Sequence, residues 1–221
     1  MDLIFAWSGG KDSALGLYDL LQTNEHRVVA LLTTVTADYG RVSMHGVRRP
    51  LLQAQAEELN LPLVEVMIGK DADNKEYEDK MRAEMLRFQA QGVAGVAFAD
   101  VFLQDLRQYR ERNLAQVGMT ALFPLWGEPT SGLARRFLAL GFKAVVTCVD
   151  THQLDMSFAG RSYDLDFLRD LPSSVDPAGE NGEFHSFVHA GPLFPRPIPF
   201  TLGERVLREN RFAFCDLLPR E

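Results

Sequence analysis

The chain has 221 residues, 46% of them hydrophobic, and its 23 Lys and Arg against 30 Asp and Glu give a formal net charge of −7. That length buries a real core in one large domain or two small ones. The charge argues against a sequence-independent grip on DNA, and no apolar stretch approaches the ~20 residues of a membrane span. Cys148 and Cys215 are too few for a disulfide framework or a zinc site. The start, MDLIFAW, has no basic region before its apolar run, so no secretory signal is expected and a reducing cytoplasm is the expected setting.

Leu3 to Trp7 is a short apolar run, as a buried parallel strand requires. Ser8-Gly9-Gly10-Lys11-Asp12-Ser13 follows. Ala14, Leu17, Tyr18 and Leu21 then share one face of a helix, with Asp12 or Ser13 expected as its cap. The loop therefore lies between the C-terminal end of a strand and the N-terminal end of a helix. There, free N–H groups and the positive dipole end attract an anion. Gly9 and Gly10 would let the backbone approach a phosphate without a side chain in the way. Lys11 adds a positive charge, and the two serines add hydroxyl donors. An ordinary Gly-rich turn is the alternative. Neither G-x-x-x-x-G-K-S/T nor G-x-G-x-x-G is present at this loop.

The alternation continues. Val28–Val35 and Leu63–Ile68 read as strands, and between them Val47, Leu51 and Ala54 share a helix face that ends near Leu59, before Pro62. Tyr77, Met81, Met85 and Phe88 make a helical stripe, Val93–Phe98 a strand, and Leu106, Tyr109, Asn113 and Val117 the next helix. TALFPLW follows, its Pro124 marking a strand end. Repeated strand–helix units predict an α/β fold, a Rossmann-like, mostly parallel sheet with helices on both faces. Ligands of such sheets bind beyond the carboxyl ends of the strands, where SGGKDS, Thr33–Thr36, SMHG and Asp100 all fall. Beyond Gly127 the pattern changes. Leu133, Phe137 and Leu140 suggest a helix, KAVVTCVD a strand, and a long stretch rich in Pro, Gly, Asp and Ser follows. The expected division is a nucleotide domain over 1–126 and a smaller α+β substrate domain over 127–221.

GENGEFH, residues 179–185, places two carboxylates, an amide and an imidazole around two glycines. A polar turn before a strand is one reading, since Asn-Gly is a hairpin signal. The apolar SFVHAGPLF that follows implies burial, and charged groups beside a buried segment need partners, which a ligand or a cation can supply.

SGGKDS resembles the SGGxDS loop of the N-type ATP pyrophosphatases, which clasps the pyrophosphate of ATP. GENGEFHSFVHAGPLF resembles the GENGEFHTFV-x-x-GP-x-F signature of the diphthine–ammonia ligase-like family, whose members carry that loop at the other end of the chain. SMHGVRRPLLQAQAEELNLPL, ADVFLQDLRQYRERNLAQVGMTALFPLW and SFAGRSYDLDFLRDLP resemble further segments of the family in the same order, so the likeness covers nearly the whole chain. Ala178 stands where many members have Cys, Ser186 replaces Thr, and Ala99 replaces a common Gly.

The resemblance implies a HUP-type nucleotide fold. It also implies an enzyme that adenylates a carboxylate with ATP, releases pyrophosphate and amidates the acyl group with ammonia. The family's substrate is diphthine on a translation elongation factor; another protein-bound or small-molecule carboxylate is left open, as is a homodimer. Ser8, Gly9, Gly10, Lys11, Asp12, Ser13, Met44 and His45 would bind ATP, with Met44 near the adenine. Asp12 would hold Mg²⁺ unless it caps the helix; for His45 the alternative is a surface-loop residue. Lys11, Asp12, Glu180, Glu183 and His185 would be catalytic, and Asp100, Arg110, Arg161, Glu180 and Glu183 would bind substrate. Glu180 and Glu183, three apart, need not face the same way. Arg107, Arg110 and Arg112 lie on one helix, at least one of them on a solvated face, and Trp126 reads as core. The distance of GENGEFH from SGGKDS assigns it to the second substrate rather than to ATP. The other readings are an ATP hydrolase and a non-catalytic nucleotide-binding module. RNA thiolation is disfavoured, because two distant cysteines make no persulfide relay.

Overall fold

The computed structural model describes residues 1–220. Its first sheet has β1 (Asp2–Ala6) between β2 (Arg27–Thr36) and β5 (Gly95–Ala97). β4 (Leu63–Ile68) pairs with β2 and β6 (Thr120–Leu122) with β5, all parallel. The short β3 (Arg41–Val42) runs antiparallel to the end of β2. Helices α1 (Lys11–Thr23), α2 (Arg49–Glu58), α3 (Asn74–Gln89) and α4 (Gln104–Ala115) make the connections. This is the expected mostly parallel, two-sided sheet.

Strand periodicity sorts the core into two layers. Leu3, Phe5 and Leu31 face α1 and α2, in one cluster with Leu15, Leu17, Leu51 and Leu52. Ile4, Ala30, Leu32 and Val96 face the other way, against Met85 and Phe88 of α3 and Leu114 of α4.

After α5 (Thr130–Ala139) the chain builds a second sheet. β7 (Lys143–Asp150) is flanked antiparallel by β8 (Ser162–Tyr163), β9 (Phe184–Ala190) and β11 (Phe212–Pro219), and β11 pairs with β10 (Phe200–Arg208). A short helix α6 (Leu165–Asp170) and the loop 171–183 lead into β9. The cluster of Leu3 and Leu15 runs on without a break through Val146, Phe184 and Phe187, so the second sheet shares the α1/α2 layer of the first. That shared layer sets β9 against the start of α1. No helix among the described residues is long and apolar enough to cross a membrane.

Candidate active site

The loop after β1 turns through Gly9, at φ +76°, and α1 begins at Lys11 with Gly10 as its N-cap. Neither Asp12 nor Ser13 caps the helix, contrary to expectation, because helical backbone starts before both. The Ser13 hydroxyl donates to the Gly10 carbonyl (2.9 Å) and the Ser8 hydroxyl to Ser13 Oγ (3.2 Å). The Gly10 N–H donates to Ser8 Oγ and the Lys11 N–H to Ser186 Oγ, both at 3.2 Å. The Asp12 and Ser13 N–H groups of the first turn then have no partner among the described residues.

The glycines answer to the chain itself. A Cβ on Gly9 would lie 2.7 Å from Gln55 Oε1; one on Gly10 would lie 2.9 Å from His45 Cε1 and 3.1 Å from the Ser186 carbonyl. The side where a Cβ would stand is filled by α2, the 43–46 loop and β9, so the chain's own packing requires both glycines. The distance in sequence between SGGKDS and GENGEFH misleads too: residues 11 and 186 are bonded to each other, and the Val188 N–H donates to the Gly9 carbonyl (2.9 Å).

Gln55, fully buried, fixes this junction. Its amide nitrogen donates to the carbonyls of Gly9 (3.1 Å) and Val188 (2.6 Å), and its oxygen accepts from Trp7 Nε1 (2.9 Å). Sequence reasoning missed it. The signal was a polar residue three and four positions after Leu52 and Leu51, on the buried face of α2.

Lys11 is 4% exposed, a buried cation whose Nζ lies 2.6 and 2.8 Å from the two Asp12 oxygens. Nζ also stands 5.6 Å from the Phe184 ring centroid and 6.0 Å from that of Tyr163. Tyr163, another residue the sequence did not single out, donates to the Pro177 carbonyl (2.7 Å), and burial pushes its hydroxyl pKa up. Lys11, Asp12, Leu15, Phe137, Tyr163 and Ala178 pack around one closed crevice, so the Ala178 departure falls beside the Lys11–Asp12 pair.

The two glutamates of GENGEFH have separate fates. Glu183 is 1% exposed and spends both oxygens on its own loop, accepting from the Asp176 N–H (2.9 Å), the Asn181 N–H (2.9 Å) and Asn181 Nδ2 (3.2 Å). These bonds give Glu183 a structural part in closing the loop. Asp176 completes the loop, accepting from Ala178 N–H and from the Thr130 hydroxyl at the start of α5. Asn181-Gly182 makes no hairpin; it is part of this loop. Glu180 instead reaches the first sheet, accepting from the Val101 N–H (2.9 Å) just past β5. Burial pushes its carboxyl up to about 7. The Val101 bond and Lys11 oppose that shift, and the negative Asp12 and Asp100 add to it.

Asp100 and Arg110 are each other's partner, at 2.6 and 3.2 Å, with the guanidinium 4.2 Å from the Phe98 ring centroid. Arg161 is likewise committed, to Asp170 (2.7 Å) and the Phe158 ring. Both arginines are thus paired with carboxylates of their own chain. Arg107 pairs with Glu111 and covers Phe123 and the half-buried Trp126, and Arg112 is on the solvated face. Met44 is 64% exposed. His45 is half-buried rather than a surface residue. Its ring centroid is 4.6 Å from that of His185, and its Nδ1 is 3.2 Å from the Ser186 carbonyl. Burial pushes His45 down to about 4 and His185 well below its ordinary value, so both are neutral at pH 7.

The fold and site define a class: an α/β protein whose loop at the end of β1 offers a buried lysine and a helix N-terminus, roofed by a strand of a second sheet. Residues 1–121 match the diphthamide synthase N-terminal domain, and residues 129–216 match the diphthamide synthase C-terminal domain. The chain belongs to this diphthamide synthase family, the family of diphthine–ammonia ligases. No curated relative matches it.

Proposed function

We propose that the protein is an ATP-dependent carboxylate–ammonia ligase: it transfers AMP from ATP to a carboxylate, releases pyrophosphate, and lets ammonia displace the AMP. The observation that carries this reading is the buried Lys11–Asp12 pair at the start of α1, with Glu180 of the loop before β9 bonded to Val101 and close enough for the charges of Asp12 and Lys11 to act on its carboxyl. Family membership supports diphthine on a translation elongation factor as the carboxylate.

A carboxylate oxygen attacks the α-phosphorus and the bond to the pyrophosphate breaks. Negative charge grows on the departing group, where the Asp12 and Ser13 N–H groups and Lys11 stabilise it. Ammonia then attacks the acyl carbon, and the acyl–oxygen bond breaks with AMP leaving. The nitrogen must shed a proton, and Glu180, with a carboxyl near 7, is poised to take it. The carboxylate of Asp12, at the start of α1, fits Mg²⁺, which prefers oxygen donors and takes one or two carboxylates alongside phosphate oxygens. When bound, the ion supplies charge neutralisation for the phosphates. Cys148, buried and pushed up to about 12, and Cys215, buried and also raised, are poor material for sulfur transfer.

Product analysis with α-labelled ATP tests the proposal. Labelled AMP should form only when ammonia and the diphthine-bearing factor are both present. Labelled ADP as the main product would overturn it. AMP formed at full rate from ATP and water alone would make the protein a hydrolase.

A further inference from the structure

The loop that carries His45 is clamped at both stems by one carboxylate of the last strand. Arg48 donates to Asp216 through Nε (3.0 Å) and Nη2 (2.7 Å). Arg41 Nη1 donates to Asp216 Oδ1 and to the Gly46 carbonyl, both at 2.8 Å. Arg41 and Arg48 also form an isolated β-bridge that closes the loop's base. Phe214, two residues earlier in β11, fills the space under Gly46: a Cβ there would lie 2.6 Å from its ring, and Gly46 has φ +67°. Between the stems, His45 walls the side of Gly10 and touches Ser186, whose hydroxyl takes the Lys11 N–H.

The geometry points to Asp216 as a positioning residue for the SGGKDS loop, acting through Arg41, Arg48 and His45 to hold the phosphate-binding turn in shape. Three charge-assisted hydrogen bonds converge on a carboxylate whose side chain is 19% exposed, held well below the usual carboxylate range first by Arg48 and then by Arg41. Asp216 touches neither the loop nor any group of the site, so its effect on a ligand runs through the clamped segment. The inference rests on the ATP reading only for its ligand; the clamp itself is testable without one.

The test uses the full chain and two readouts. The first is the His45 titration, followed by NMR of the imidazole carbon-bound protons from pH 4.5 to 8. In wild type His45 stays largely neutral over most of that range and only begins to protonate at its acid end. In Asp216→Ala the loop swings outward, the ring meets water, and the titration moves up toward the ordinary value near 6.5. Electrostatics alone predicts the reverse, because removing a negative carboxylate and freeing two guanidinium groups lowers an imidazole's pKa. The second readout is ATP affinity by calorimetry. It should weaken about tenfold, the equivalent of one charge-assisted hydrogen bond, and Arg48→Gln should give a smaller loss in the same direction. A folded Asp216→Ala protein whose His45 titrates as in wild type, or lower, overturns the inference, and so does unchanged ATP affinity beside normal wild-type binding. If Asp216→Ala does not fold, Arg48→Gln decides by the same two measurements. Should wild type itself fail to bind ATP, the nucleotide reading falls while the His45 titration still judges the clamp.

Discussion

Residues 8–13 take their decisive contacts from remote segments, whereas the centre of residues 176–183 is closed by its own Glu183 and Asp176, with Thr130, Tyr163 and Val101 bonding in at its edges. The first loop receives Gln55 and Val188 on its Gly9 carbonyl, Ser186 on its Lys11 N–H, and His45 against Gly10. The second is closed by Glu183 on Asp176 and Asn181, by Asp176 on Ala178, and by Gly182 on Gly179. Both are rich in glycine and charge, yet their order comes from different places. A loop held by remote partners is sensitive to residues far from it in sequence. A self-closed loop stands or falls with its central carboxylate and leaves its neighbour, Glu180, free to face the other sheet.

The largest expected effect sharpens that contrast. Glu180→Gln keeps the bond to Val101 but cannot accept a proton, so amide formation should fall by on the order of 10²-fold. Its stability should move the other way. Glu180 titrates in the fold near 7, above its ordinary 4.5, so its contribution to stability is complete below 4.5 and is lost as pH rises through 7. Above pH 7 wild type carries a buried anion that the variant lacks, and Glu180→Gln should melt higher at pH 8 and equally at pH 4. An unchanged melting point at both would place this carboxyl in water.

Glu183→Ala should act on the fold first. It strands the Asp176 and Asn181 N–H groups in a buried loop, at a cost of about 3 kcal/mol, or roughly 6–12 °C in Tm for a chain of this size. Normal melting with lost activity would place Glu183 in the chemistry.

Gln55→Ala tests the loop held from outside. It leaves the Gly9 and Val188 carbonyls and the Trp7 indole N–H without their partner, costing about 1–3 kcal/mol. Trp7 fluorescence should shift in the native state. A silent Trp7 would mean that the junction is held by packing alone.

The smallest effect is a slope. His45 and His185 titrate below their unfolded values, so the unfolded chain binds more protons as pH drops below 6.5. Stability should therefore fall on acidification from 6.5 toward 4, and His45→Gln should flatten the curve. Urea melts at half-unit pH intervals measure it.

Strand–helix alternation was plain in the sequence because buried parallel strands such as Asp2–Ala6 and Arg27–Thr36 carry continuous apolar runs, and the antiparallel Lys143–Asp150, buried on both faces, reads the same way. β10 gave no such signal, because FTLGERVLR is an edge strand with Leu202 and Leu207 exposed. The SGGKDS loop was legible as a strand–helix junction. What was not legible was the partner of each charge: sequence spacing says nothing of Arg110 meeting Asp100, or of Asp216 meeting Arg41 and Arg48. Nor could it tell that Glu183 turns into its own loop and Glu180 toward Val101, since residues three apart in a loop have no fixed relation.

The central claim is that both sheets meet at Lys11, Asp12 and Glu180 to activate a carboxylate as its adenylate. Transfer of isotopic oxygen tests it most directly. With the diphthine carboxylate labelled with heavy oxygen, and ATP and ammonia unlabelled, each amide formed should send one heavy oxygen into the phosphate of AMP, because that oxygen bridges acyl carbon and phosphorus until the acyl–oxygen bond breaks. AMP free of heavy oxygen, or the label recovered in orthophosphate, would contradict the account.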